Sequence, residues 1–237
     1  MKKLSAVLLA AAFGLSLTAA GPKPKKTVLD GGPLQVELTR DGHIVHRLNG
    51  RGMFHLMLQV HWLHFAYRSK DLRIAVQEPD VLRSAGSFAN VRFSSRTRVR
   101  PGRAETEYQL HLTEDNAFAP NKQWEVTPCF KMDCMKTLED CAYSGVCVDG
   151  GKFSGRLRDI VGFPGKVGSF TVHDVQGYDL TLEFPDGALG MDRRRETKPA
   201  GLWFFVPAVT RDGAYPQKAG ERAVLRFNAE AKKIAEK

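Results

Sequence analysis

Apolar and polar residues alternate with a period of two along most of the chain, the signature of strands that bury one face. Leu34, Val36 and Leu38 alternate with Gln35, Glu37 and Thr39, and Arg40-Asp41-Gly42 then leads into Ile44–Leu48. A three-residue loop at that point sets Leu38 opposite Ile44 and Leu34 opposite Leu48. Further on, Val91, Phe93 and Val99 share one face while Arg92, Arg96, Arg98 and Arg100 share the other. After Pro101-Gly102-Arg103-Ala104, Tyr108, Leu110 and Leu112 alternate with Glu107, Gln109 and His111. Pairing Arg100 with Glu105 places Arg98 opposite Glu107 and Phe93 opposite Leu112, so a single register satisfies the wet and the apolar face.

The pattern resumes toward the C-terminus. Phe170 and Val172 precede a turn at Gln176-Gly177, and Leu180, Leu182 and Phe184 follow it. Leu202–Val206 is apolar at every position, which predicts a strand covered on both faces, and Ala223, Leu225 and Phe227 mark a late strand. Helical spacing is confined to a short piece around Cys134 and to Glu230–Lys237. The lapse of alternation between Thr113 and Gly168 predicts a long irregular insertion. The whole predicts an all-β protein: one antiparallel β-sandwich over residues 33–237, carrying the insertion 113–168.

The N-terminus has a different character. Met1-Lys2-Lys3, the apolar stretch Leu4–Leu17 and Thr18-Ala19-Ala20 have the layout of a cleavable secretory leader, and residues 21–32 form a Pro/Lys linker. This predicts a periplasmic or secreted protein with no transmembrane anchor after cleavage, because no later segment is apolar for long enough. Lys2, Lys3, Lys23, Lys25 and Lys26 contribute five of the net +9, so the chain beyond residue 26 is only about +4. Together with export, this argues against a nucleic-acid partner.

No nucleotide loop, zinc-protease helix, hydrolase elbow or dinucleotide fingerprint occurs, and nothing calls for a cofactor. Four cysteines, Cys129, Cys134, Cys141 and Cys147, are spaced C-x4-C-x6-C-x5-C without the paired hooks of a structural zinc site. In an exported chain this predicts two disulfides. A helix through Cys134 and Cys141 would hold them roughly 10 Å apart. The expected pairing is therefore Cys129 with Cys134 and Cys141 with Cys147, with a crossed pairing as the alternative.

Three kinds of chemistry compete for the function. Trp124, at the edge of the insertion, offers an indole face to a sugar ring, with Glu125 and Tyr143 near in sequence to supply hydrogen bonds. This predicts a module that binds polysaccharide or a cell-envelope component. The insertion carboxylates Glu125, Asp133, Glu139, Asp140 and Asp149 offer instead the acid–base pair of a glycoside-cleaving enzyme. Finally, His55, His61 and His64 are a copper or zinc set if a bulge near Trp62 brings them to one side, and otherwise the wet face of a strand.

Overall fold

Alternation resolves into fifteen strands and one short helix in the computed structural model, which describes residues 27–39, 44–60, 70–88, 90–116, 124–192 and 201–235. The first half contains β1 (Thr27–Gly31), β2 (Leu34–Leu38), β3 (Ile44–Leu48), β4 (Arg51–Val60), β5 (Lys70–Glu78), β6 (Val81–Phe88), β7 (Val91–Arg100) and β8 (Arg103–Leu112). The second half contains β9 (Trp124–Lys131), α1 (Met132–Leu138), β10 (Ala142–Cys147), β11 (Lys152–Arg156), β12 (Lys166–Val175), β13 (Tyr178–Asp192), β14 (Gly201–Pro207) and β15 (Arg222–Lys233). All pairings are antiparallel, in the order β1-β2-β3-β4-β9-β14-β13-β15-β8-β7-β6-β5, with β12, β10 and β11 branching from β13.

The sheet folds over at β13. Tyr178–Glu183 pair with β15, whereas Leu189–Asp192 pair with β14, so one long strand belongs to both layers of the sandwich. The layers meet through aromatic side chains, because large flat groups from facing sheets interdigitate at the spacing of two packed sheets. Phe54 and Phe204 come from the β3-β4-β9-β14 layer, and Phe184 and Phe227 from the other. Phe184 stacks on Phe204 at 5.1 Å, and Phe54 meets Phe227 edge-on at 5.6 Å. The edge strand β1 meets the β7–β8 turn, where the Gly102 N–H donates to the Gly31 carbonyl at 2.8 Å.

Several expectations hold in detail. Leu38 pairs with Ile44 and Leu34 with Leu48, the Gln176-Gly177 turn joins β12 to β13 as a hairpin, and every residue of β14 is buried. Others need correction. The β7–β8 hairpin turns on Pro101-Gly102 alone, so Arg100 pairs with Arg103, Arg98 with Glu105 and Phe93 with Leu110. A two-residue shift leaves each side chain on its expected face and changes only its partner. The stretch 113–168 holds β9, α1, β10 and β11 in place of irregular chain, and Glu230–Lys233 continue β15 as strand.

The expected disulfides are not borne out: no disulfide joins Cys129, Cys134, Cys141 and Cys147. The sheet and the helix explain why. Cys134 packs into the main core, whereas Cys129 belongs to a separate cluster on the other face of the same layer. Cys141 and Cys147 are separated by the extended strand β10, about 20 Å at 3.3 Å per residue. Burial pushes the Cys134 thiol up to about 11, with Cys141 adding to the rise and Arg51 opposing it.

Candidate functional site

Register places Glu37, Val45, His55, Cys129, Trp203 and Met191 in one row across β2, β3, β4, β9, β14 and β13. Directly opposed residues of an antiparallel sheet project from the same face. The adjacent residues Val36, His46, Phe54, Phe130 and Leu202 all enter the main core, so this row occupies the outer face of that layer. Period-two alternation extends the outer face along β9 to Thr127 and Glu125, and along β14 to Phe205.

The outer face is polar at one end and aromatic in the middle. Glu125 and Thr127 are fully buried, and Glu125 lies opposite Pro207 of β14 and Gln59 of β4. Trp203 and Phe205 stack at 6.0 Å, and with Cys129 and Met191 they form an apolar cluster distinct from the main core. Glu37 accepts a hydrogen bond from Arg47 Nε at 2.7 Å, so its charge is already matched. Flat rings beside a carboxylate and a hydroxyl are groups that hold a polyhydroxylated ring, by stacking and by directional hydrogen bonds; here Glu125, Thr127, Cys129, Trp203 and Phe205 are each 3% exposed or less, so the face is covered.

The acidic groups do not converge. Glu125 lies four residues along β9 from Cys129, the residue that faces His55, a separation of roughly 13 Å. Glu37 stands three strands away from β9. Neither spacing suits two groups acting on one bond, for which carboxyls stand about 5 to 9.5 Å apart. The remaining insertion carboxylates are engaged or dispersed: Asp140 pairs with Arg158 at 2.9 Å, Asp149 accepts the Gly151 N–H, and Glu139 is exposed. The side chain of Asp133 lies outside the described residues.

Of the residues expected to form the site, Glu125 is the one whose side chain the structure places on this face. Trp124 opens β9 opposite Val60, and its side chain lies outside the described residues. Tyr143 sits on β10 and packs in the main core, stacked on Phe170 at 5.4 Å, so it does not join Glu125. His55 lies on the outer face at the row described above, while His61 and His64 fall outside the described residues, as does Trp62. Among the described residues no group of three or more His, Cys, Asp or Glu side chains is arranged to hold a metal ion.

Trp203 and Phe205 were the residues missed by pattern reading. Their strand is apolar at consecutive positions, which signals cover on both faces, but only the pairing of β14 with β9 shows that they join Glu125 and Cys129. That pairing joins segments more than seventy residues apart, beyond the reach of local periodicity.

No protein-family model and no curated protein matches the chain in sequence. Solved structures do match its fold. A candidate aldose 1-epimerase from Escherichia coli K12 has a TM-score of 0.55 at 10% identity, with 89% of this chain and 99% of that one covered. A galactose mutarotase-like protein from Lactobacillus casei ATCC 334 has a TM-score of 0.54 at 9% identity, covering 87% and 100%. A galactose mutarotase related enzyme from Lactobacillus acidophilus has a TM-score of 0.50 at 8% identity, covering 90% and 99%. The chain therefore has the galactose mutarotase-like β-sandwich fold.

Proposed function

We propose that the protein is an exported carbohydrate-binding module that recognises a polysaccharide or cell-envelope glycan on the outer face of β4, β9 and β14. The observation that carries this reading is the meeting of Glu125 with Thr127 and the Trp203–Phe205 stack on one sheet face outside the main core; all four are buried, so binding requires that face to open to the glycan. The names of the structural neighbours concern sugars, which agrees with a sugar as ligand, although fold alone does not transmit function. The wide separation of Glu125, His55 and Glu37 supports binding over acid–base cleavage. Export rests on the leader in residues 1–20, and a mature protein beginning near Gly21 checks it.

Calorimetric titration against a panel of soluble polysaccharides tests the binding. Wild type is expected to bind at least one. Glu125→Gln keeps the shape and removes the charge, so it should weaken that binding by about tenfold, the loss of about 1.4 kcal/mol that a charge-assisted hydrogen bond supplies. Failure of the wild type to bind any glycan, or unchanged binding by a folded Glu125→Gln variant, overturns the proposal.

A further inference from the structure

A second constellation lies on the other layer, where β10, β12 and β13 run side by side. Ser144 Oγ is 2.8 Å from His173 Nε2, and His173 Nδ1 is 3.2 Å from Asp179 Oδ1. The two ring nitrogens thus divide their roles as a serine nucleophile requires. With Nδ1–H donated to the carboxylate, Nε2 is left to accept the serine proton. His173 and Asp179 are each 37% exposed, so the group opens to solvent.

The local chain is shaped around this contact. Ser144 lies opposite Thr171, and His173, two residues further along β12, reaches it diagonally. Register between β12 and β13 then shifts between Val172 and Val175, at Asp174. Asp174 adopts a left-handed φ of 56° inside the strand without being glycine, a backbone state of the kind that clusters at functional sites, whereas the positive φ of Gln176 belongs to the two-residue turn with Gly177. The Asp174 N–H donates to Asp179 Oδ1 at 3.2 Å, so the distorted segment holds the carboxylate as well as presenting the imidazole.

We propose that Ser144, His173 and Asp179 form a serine-nucleophile site for hydrolysis of acyl esters, separate from the glycan face and independent of that reading. Ser144 Oγ attacks the ester carbonyl carbon as His173 Nε2 takes its proton. The carbon–oxygen bond to the alcohol breaks, His173 returns the proton to the departing alkoxide, and acyl-Ser144 remains. Water then gives a proton to His173 and attacks the acyl carbon; Ser144 leaves with that proton, and the acid is released. Asp179 is a positioning residue that fixes the ring and its tautomer. The amides of β10 are committed to pairing with β11 and β12, so the oxyanion would be met by hydroxyls. Ser154 and Thr171 flank Ser144 in register, and because the Thr171 hydroxyl is hydrogen-bonded to Thr181 Oγ1 at 2.9 Å, Ser154 is the candidate donor. An open sheet face fits an acyl group displayed on the surface of a larger molecule.

Mass spectrometry of the full chain after treatment with diisopropyl fluorophosphate tests the assignment. One diisopropylphosphoryl group is expected, on the peptide containing Ser144, and none on Ser144→Ala. His173→Gln should slow labelling by about 100-fold, the usual contribution of a general base. Thermal unfolding of each variant shows that the fold persists, and a purely structural hydrogen-bond row would move that temperature without giving an adduct. An unlabelled wild type, or equal labelling of Ser144→Ala, overturns the proposal.

Discussion

His46 sits fully buried in the main core, stacked on Phe54 at 4.4 Å and edge-on to Phe227 at 5.6 Å. Among the described residues neither of its ring nitrogens has a hydrogen-bond partner. Desolvation, with the charge of His55 adding, holds its pKa down at about 3 against an ordinary 6.5. Above pH 6.5 the ring is neutral whether folded or unfolded and stability does not depend on it. Between 6.5 and about 3 the unfolded chain binds the extra proton, so stability falls as pH falls, by about 1.4 kcal/mol per pH unit. His46→Leu keeps the bulk and removes two unsatisfied atoms. Urea denaturation should show it more stable at pH 7 by about 1–3 kcal/mol and free of this group's acid slope.

At the scale of elements, the β7–β8 turn binds three parts of the molecule together. The Gly102 N–H donates to the Gly31 carbonyl at 2.8 Å, and its carbonyl accepts from the Ala231 N–H at 2.7 Å. Its φ of 72° is left-handed, and a Cβ there would lie 2.8 Å from the Ala231 carbonyl oxygen. Gly102→Ala should therefore lower stability by about 1–2 kcal/mol from the backbone alone, measured by thermal unfolding. This turn also shows how far local pattern reaches. Alternation determines which face a residue takes, but a two-residue slip preserves every face, so the partners of Arg98 and Phe93 could not be read from it. Neighbouring strands likewise overrule propensity at Glu230, which pairs with both Thr181 and Arg103.

Across the whole molecule, the all-β class and the buried strands were legible because each strand advertises its own apolar face. The outer-face site was legible only in part. Glu125 stands out as a carboxylate beside an indole in sequence, whereas its joining with Trp203 and Phe205 depends on β4, β9 and β14 lying side by side, which is decided by packing of distant segments. The same applies to Ser144, His173 and Asp179, three unremarkable residues until strands β10, β12 and β13 align. The central claim is that the outer face of β9 and β14 holds the glycan. Hydrogen–deuterium exchange with and without a bound glycan tests it most directly. Slower exchange confined to peptides covering Trp124–Lys131 and Gly201–Pro207 is the expected result. Protection that leaves both strands unchanged and appears instead on the opposite layer would contradict it.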